Sequence, residues 1–331
     1  MHLSIMISNN CNYQCSHCIE NSSPNKLERI PLKKIIELID LAASISENED
    51  FKVSFTGGEP FLYFDDLFEC VKRAAKNKAY SISCVTNAFW ATSYEEALNK
   101  LQKLKTAGID LIAYSYDEFH KKFIIIDHLK NAFAAANKAG ISSTFKIVLF
   151  NGKERAYDLL KKLSDITPAA RFSVEEILGL PLGRAKNLPK DLFLFTKGIP
   201  EDKCYGVGNI LVRYDGNVYA CCCPTFSEAL FLGNIYKESL EIIYTKLKNQ
   251  LLFKVLINKG PAYFVPYLQR VGVVFEEGTF VDQCHLCSEV FKYYNSNQNI
   301  RYVFDNAIEE WKVNSEKEKS TLNIISEFLG I

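Results

Sequence analysis

Three cysteines near the start of the chain have a spacing that could hold a metal cluster. They are Cys11, Cys15 and Cys18, arranged as Cys-x3-Cys-x2-Cys. Three thiolates from one short loop can bind three irons of a 4Fe–4S cube, which leaves the fourth iron open to a substrate or a cofactor. A zinc loop or a redox-inert cysteine cluster is the alternative that this spacing by itself leaves open. The loop follows a short apolar segment, 2–7, which predicts a first strand.

A second motif, Gly57-Gly58-Glu59-Pro60, directly follows a predicted strand at 51–55. Its two glycines would allow the backbone to come close to a bound molecule. Together the two motifs resemble those of radical S-adenosylmethionine (SAM) enzymes. The resemblance implies a catalytic 4Fe–4S cluster on the three cysteines and SAM on its open iron, with Gly57, Gly58 and Glu59 receiving the methionine ammonium. It also implies cleavage of SAM to methionine and a 5′-deoxyadenosyl radical.

Composition limits the classes of protein to which the chain can belong. It has 331 residues, 48% of them hydrophobic, and a formal net charge of zero. This is enough for one large core or two domains, and the balanced charge gives no basic footprint for a nucleic-acid partner. No apolar run approaches the length of a membrane span. We therefore expect a cytoplasmic protein without a membrane partner, in which eleven cysteines favour metal binding or catalysis over disulfides.

The first part of the chain alternates predicted strands with amphipathic helices, which favours an α/β fold with a parallel sheet. The resemblance implies the family's partial (β/α)6 barrel, in which sites gather at the carboxyl ends of strands. We expect this barrel over residues 1–190, an auxiliary-cluster domain over 191–300 and a helical extension over 301–331. The predicted strands are 2–7, 51–55, 80–85, 109–114, 143–149 and 171–177. The predicted helices are 31–45, 67–75, one between Ser93 and Gly108 with a capping box of Ser93 and Glu96, 127–139 and 154–164.

Several polar residues near predicted strand ends are expected to contact SAM. The resemblance places His17 near the adenine, and Asn87 is predicted to bind the ribose or the SAM carboxylate. Arg184 lies in a stretch, 183–185, that resembles one common in peptide-modifying members, and it could pair with a carboxylate. Ser115 and Asp117 also follow a predicted strand. A turn or surface role is the alternative for such residues.

The pattern of the sequence changes after about residue 190. A predicted hairpin, with strands 210–214 and 218–220 joined by an Asp-Gly turn, leads into three consecutive cysteines. The layout resembles the auxiliary-cluster region, called SPASM or in a shorter form twitch, of radical SAM peptide maturases. The cysteine count suits one auxiliary 4Fe–4S cluster on Cys204, Cys221, Cys284 and Cys287. A zinc ion on the same four thiolates is the alternative.

Cys222 and Cys223 are then left without a ligand role. A deoxyadenosyl radical can remove the Cα hydrogen of a peptide residue, and a thiol can return a hydrogen to the opposite face, which yields a D-residue. Neighbouring residues of a strand face opposite sides, so Cys222 is expected to turn away from the cluster if Cys221 binds it. Packing, or a ligand role, is the alternative for both cysteines.

Longer stretches resemble the radical SAM epimerases that install D-residues in epipeptides. They are 85–90, 114–120, 215–222, 251–256 and the 284–287 end. The resemblance implies that Cys221 is a cluster ligand and that Cys222 is the hydrogen donor, with Cys223 as the second candidate. Two departures are that Cys223 stands where a small non-cysteine residue is expected, and that Asn209 stands where an acidic residue near the substrate is expected.

We therefore predict L-to-D epimerisation at Cα of a ribosomally synthesised precursor peptide, with Asn209 near that substrate and a flavodoxin or ferredoxin as electron donor. A maturase that forms a thioether or carbon–carbon crosslink is the second hypothesis, and its product would be lighter by two hydrogens. A non-catalytic zinc or iron–sulfur module is the third, and it would not cleave SAM.

Recognition of the peptide is expected to fall to the barrel, the auxiliary region or the C-terminal helices. The first strand is predicted close to the N-terminus, so we expect no separate leader-binding domain before it. Two helices are predicted near the C-terminus, at 303–311 and 322–329. The aromatic pairs 263–264 and 293–294 could line a peptide groove or pack in the core.

Overall fold

One large sheet organises the part of the chain that the computed structural model describes, residues 1–46, 50–166, 172–221 and 227–329, with side chains to residue 318. Its first six strands are parallel and adjacent in chain order, with a helix between each and the next. This confirms the predicted α/β barrel architecture. The strands are β1 His2–Met6, β2 Lys52–Thr56, β3 Ser81–Thr86, β4 Leu111–Ser115, β5 Ser142–Leu149 and β6 Phe172–Leu178. The helices are α1 Leu32–Ser46, α2 Phe64–Lys76, α3 Tyr94–Ala107, α4 Ile126–Ala139 and α5 Ala156–Lys162. Residue 171, where the sixth strand is predicted to start, lies outside the described residues.

The two faces of this sheet differ in chemistry because side chains alternate along each strand. On one face, Phe55 and Cys84 are fully buried in the apolar core. On the other face, Ser4 pairs with Ser54 across β1 and β2, and Ser54 pairs with Ser83 across β2 and β3. The second face is therefore polar along its middle, and it is the face on which a bound substrate would find hydrogen-bonding groups.

The ends of α3 agree with the sequence prediction in part. The Ser93 side chain accepts a hydrogen bond from the Glu96 N–H, and Gly108 ends the helix with φ of 116°. The predicted reciprocal bond of the capping box is replaced, because the Glu96 carboxylate accepts from the Thr92 hydroxyl instead. The competing hydroxyl one residue earlier is the physical reason for this difference.

The barrel sheet continues without a break into the second part of the chain. Strand β7, Val207–Val212, is parallel to β1, and the antiparallel strands β8, Asn217–Cys221, and β9, Phe231–Asn234, follow it outward. The predicted hairpin is confirmed, with Gly216 at φ of 83° in its turn. Strands β7, β8 and β9 thus extend the barrel sheet beyond the domain boundary that the sequence predicts near residue 190. The division into domains stays a prediction.

Helices cover the remainder of the described chain. They are α6 Leu240–Asn249, α7 Leu251–Lys259, α8 Val265–Gln269, α9 Gln283–Phe291 and α10 Gln298–Leu329. The prediction of two separate C-terminal helices is wrong, because α10 runs through both, and the residues between them contain neither glycine nor proline to end a helix. Of the helices in the described residues, none has the length and apolar character that crossing a bilayer requires.

Candidate active site

The end of β2 supports the cysteine loop through backbone contacts. The Gly58 N–H donates to the Ser8 carbonyl at 2.8 Å, and the Glu59 N–H donates to the Asn10 carbonyl at 2.8 Å. A Cβ atom on Gly58 would lie 1.8 Å from the Asn10 carbonyl oxygen, and Gly57 has a positive φ of 138°. The chain segment that leads into Cys11 lies so close to β2 that both positions require glycine. The sequence analysis explained these glycines only by the approach of a bound molecule.

The Glu59 carboxylate joins the ends of β2 and β3. It accepts hydrogen bonds from the Phe61 N–H at 3.0 Å, the Thr86 hydroxyl at 2.8 Å and the Asn87 N–H at 2.7 Å. The side chain is buried, and this burial raises the pKa of Glu59 to about 7. Its oxygens are occupied by donors of the chain itself, so the predicted contact with the SAM ammonium stays a prediction.

Asn87 connects β3 to the cysteine loop. Its Nδ2 donates to the Asn12 side-chain oxygen at 3.0 Å and approaches the Cys11 sulfur at 3.8 Å, while its Oδ1 accepts from the Phe89 N–H. Sequence reasoning did not assign a role to Asn12. The predicted contact of Asn87 with SAM is untested, and the observed bonds place this side chain directly beside the first predicted cluster ligand.

A buried carboxylate holds two histidines beside the cysteine loop. Asp117 lies 3.2 Å from His17 Nε2 and 3.0 Å from His120 Nδ1, and it accepts the Phe119 N–H at 2.9 Å. Burial alone would raise the pKa of Asp117, but His120 and His17 hold it well below its ordinary range. The carboxylate thus faces the two imidazoles, and its contact with SAM stays a prediction. His120 was missed, and its position three residues after Asp117 is the signal that could have identified it.

The segment after β6 also contacts the cysteine loop, through hydrogen bonds to its backbone carbonyls. The Arg184 N–H donates to the Cys18 carbonyl at 3.0 Å, and its Nε donates to the Cys15 carbonyl at 2.9 Å. A Cβ atom on Gly183 would lie 2.2 Å from the Ile19 carbonyl oxygen. Arg184 therefore orients the loop, a role beyond the predicted pairing with a carboxylate.

Two other predicted residues lie at different places on the sheet. Ser115 ends β4 and is partly exposed at the edge where the cysteine loop lies. Asn209 pairs with His2 at the start of β1, and its Oδ1 lies 3.1 Å from His2 Nδ1. Because His2 is at the amino end of its strand and the cysteine loop follows the carboxyl end, Asn209 lies toward the opposite end of the sheet from Cys11.

The residues around the loop fit a cluster and SAM. Two polar atoms beside it, His17 Nδ1 and Arg184 Nη2, are buried and have no hydrogen-bond partner within the described part of the chain. They are available to a bound molecule. Cys11 accepts the Tyr13 N–H, and burial raises the pKa of the Cys11 thiol to about 12. Its proton is therefore retained until a metal displaces it.

Replacement of Asp117 by asparagine is expected to weaken the contacts that hold His17 and His120 beside the cysteine loop. An amide cannot accept from two imidazoles and the backbone as a carboxylate does, so we expect a loss of about 2 kcal/mol in the free energy of unfolding and weaker SAM binding. Urea unfolding and equilibrium dialysis with SAM would measure both. Asp165→Asn is the matched control, because Asp165 is exposed and bonded only to Lys130 among the contacts described, and its loss should be under about 1 kcal/mol. Equal losses in the two variants would contradict the role of Asp117.

Four cysteines from three separate segments meet around a second cavity. Cys204 lies before β7, Cys221 ends β8, and Cys284 and Cys287 lie on α9. The Cys204 N–H donates to the Leu256 carbonyl at 3.0 Å, and burial raises the pKa of the Cys204 thiol. Four thiolates around an apolar cavity fit an iron–sulfur cluster, and the same donor set would also hold zinc. Cys222 and Cys223 lie outside the described residues.

The fold and the two cysteine sites define a class of protein. Residues 5–163 match the model of the radical SAM superfamily, and residues 204–263 match that of an iron–sulfur cluster-binding domain, SPASM. The chain therefore carries a radical SAM domain followed by a SPASM domain. A radical SAM domain implies a 4Fe–4S cluster with SAM, and a SPASM domain implies auxiliary iron–sulfur binding.

Two curated proteins and one solved structure are similar to this chain. YydG of Bacillus subtilis (strain 168), a protein named for peptide biosynthesis, is 26% identical over 312 residues, which cover 91% of this chain and 94% of YydG. A GTP 3′,8-cyclase of Clostridium botulinum is 26% identical over 202 residues, 60% of this chain and 62% of the cyclase. The solved structure of anSMEcpe with bound AdoMet covers 92% of this chain and 98% of its own, with a TM-score of 0.50 and 16% identity. This last likeness concerns the fold alone.

Proposed function

We propose that this protein is a radical SAM enzyme that converts L-residues of a ribosomally synthesised precursor peptide into D-residues. Similarity to YydG over nearly the full length of both chains supports a role in peptide biosynthesis. The reaction at Cα is the finer part of the proposal, and it rests on the cysteines of this chain.

One observation carries the choice of reaction. Among the residues that the structure describes, four cysteines line the auxiliary cavity, which is as many thiolates as a 4Fe–4S cluster takes, so a cluster there does not require Cys222 or Cys223. These two thiols directly follow Cys221, the residue that brings β8 to the cavity. Epimerisation returns a hydrogen atom to Cα and therefore needs a donor such as a thiol, whereas formation of a crosslink returns none.

The proposed reaction balances through a single thiol. When bound, the catalytic cluster and SAM would supply, for one electron from the external reductant and with release of methionine, a 5′-deoxyadenosyl radical that takes the Cα hydrogen of the peptide and becomes 5′-deoxyadenosine. The Cys222 S–H bond then breaks, its hydrogen atom forms a new Cα–H bond on the opposite face, and the residue becomes D. A thiyl radical is left on Cys222, and one electron and one proton restore the thiol. The electron comes from an external reductant of the flavodoxin or ferredoxin class.

The polar face of the barrel sheet supports a peptide as the substrate. His2 Nε2 lies 2.8 Å from the Ser54 hydroxyl, which lies 2.7 Å from the Ser83 hydroxyl. This hydrogen-bonded row continues to Asn209 through His2 Nδ1. His2 and Asn209 lie toward the opposite end of the sheet from Cys11, so these hydroxyl and amide groups would bind peptide backbone remote from the modified residue, in exchange for the bonds that they make with one another.

A labelling experiment tests this function. The reconstituted enzyme is incubated in deuterated water with SAM, dithionite and the short peptide encoded beside it, and the peptide is analysed by mass and by chiral amino-acid analysis. We expect one deuterium for each modified residue, because a thiol hydrogen exchanges with the solvent. Loss of two hydrogens without deuterium would instead support a crosslink. Absence of SAM cleavage in a cluster-loaded sample would contradict every enzymatic proposal.

A further inference from the structure

A cavity of ≈550 Å³ lies between the outer hairpin and the start of α10. One wall is formed by Tyr219 of β8 and Phe231 of β9, whose rings are 5.7 Å apart, and the other by Tyr294 and Arg301. None of its lining residues also lines the auxiliary cysteine cavity. The volume is in the range of ligand-binding pockets, and neither cluster nor SAM chemistry uses it.

The groups in the cavity indicate which chemical class of ligand it accepts. The Arg301 guanidinium lies 4.0 Å above the Tyr294 ring, and its Nη1 is 3.4 Å from the Asn295 side-chain oxygen. Glu228 adds a negative charge to the cavity and accepts a hydrogen bond from the Asn295 side chain. Glu228 lines the same cavity as Arg301, and its negative charge disfavours phosphate. Aromatic rings, amides and charges of both signs together fit a polypeptide segment.

Strand pairing places this cavity on the substrate face of the sheet. Ser4 pairs with Leu211 across β1 and β7, and Leu211 pairs with Tyr219 across β7 and β8. Direct partners share a face, so Tyr219 lies on the same face as Ser4 and the hydroxyl row of the barrel. The barrel interior and the cavity therefore lie on the same side of the sheet, with the buried Leu211 between them.

We infer that this cavity binds a second segment of the precursor peptide, away from the residue that is modified, with Arg301 paired to a carboxylate of that segment. The inference rests on the proposed function, because it takes the substrate to be a peptide. Arg301 is half-exposed and stacked on Tyr294, and its Nε pairs with Asp305 of the same helix at 3.3 Å, so the peptide carboxylate would bind the other guanidinium nitrogens or replace Asp305. Tyr219 and Phe231 supply the apolar wall that receives a side chain.

Charge reversal at the cavity is the test. The cluster-loaded protein with SAM is titrated into a fluorescently labelled synthetic peptide, the one encoded beside the enzyme, and anisotropy gives Kd. We expect Arg301→Glu to weaken binding at least about tenfold and to raise the apparent KM for the peptide. Arg270→Glu is the matched control, because Arg270 is also exposed and also lies over a tyrosine ring, at 5.2 Å from Tyr267, but outside the cavity. Its Kd should equal that of the unaltered protein.

A photocrosslinking measurement locates the peptide directly. The exposed Gln250, which lines the cavity, is replaced by p-benzoylphenylalanine, and crosslinked peptides are mapped by mass spectrometry. Crosslinks to residues outside the modified position are expected, and crosslinks confined to that position would overturn the inference. An unchanged Kd for Arg301→Glu, with normal epimerisation by the unaltered enzyme, would refute this site while leaving the proposed function intact. If the unaltered enzyme neither binds nor modifies the peptide, both fail.

Discussion

Replacing Cys222 by alanine is expected to abolish formation of the D-residue while SAM cleavage continues. The Cα radical would still form, but alanine has no S–H bond from which to return a hydrogen. The fraction of D-residue should fall below detection, and deuterium incorporation from solvent should disappear with it. Chiral amino-acid analysis measures the first quantity and peptide mass the second, on the same sample. Release of 5′-deoxyadenosine reports SAM cleavage independently.

Cys223→Ala is the matched control, since it removes a thiol from the adjacent position of the same segment. Epimerisation should persist in this variant if Cys222 is the donor. The opposite pattern would assign the donor role to Cys223 and leave the reaction class unchanged. If both variants form the D-residue with deuterium, a thiol outside this pair, or another group, returns the hydrogen, and the surplus cysteines lose their proposed role.

A second large effect is expected from Gly58→Ala. The new methyl group would lie 1.8 Å from the Asn10 carbonyl oxygen and 2.9 Å from the Cys11 nitrogen, so the backbone entering the cysteine loop must move. We expect a loss of about 3 kcal/mol in the free energy of unfolding. Displacement of Cys11 should also prevent assembly of the catalytic cluster, with about half of the bound iron lost and SAM cleavage abolished.

Iron analysis, SAM cleavage and urea unfolding check this expectation. Gly198→Ala is its control, because a Cβ atom there meets nothing within 4 Å and the backbone is not in the left-handed region. That variant should keep full iron content and activity. Full iron content and normal SAM cleavage in Gly58→Ala would show that the loop adapts to the methyl group, and that the close approach of the two segments is not required for cluster binding.

The roles of individual residues divide into those visible in the sequence and those that depend on distant partners. The cysteine spacing at 11–18 and the Gly-Gly-Glu motif predict the cluster site, because both are local patterns. Sequence reasoning also assigns Glu59 and Asp117 to SAM. Those contacts stay predictions, and the structure adds that Glu59 accepts hydrogen bonds from Thr86 and Asn87 and that Asp117 lies beside His17 and His120. Such partners lie up to a hundred residues away, and no local pattern specifies them.

The sequence by itself determined the order of strands and helices, since alternation and helical periodicity arise between neighbours along the chain. It also determined that surplus thiols follow the hairpin. Only the tertiary structure decided that β7 extends the barrel sheet and that Tyr219 and Arg301 line one cavity. Those outcomes depend on how whole elements dock. Docking is set by the summed burial of many side chains, and no short segment carries that information.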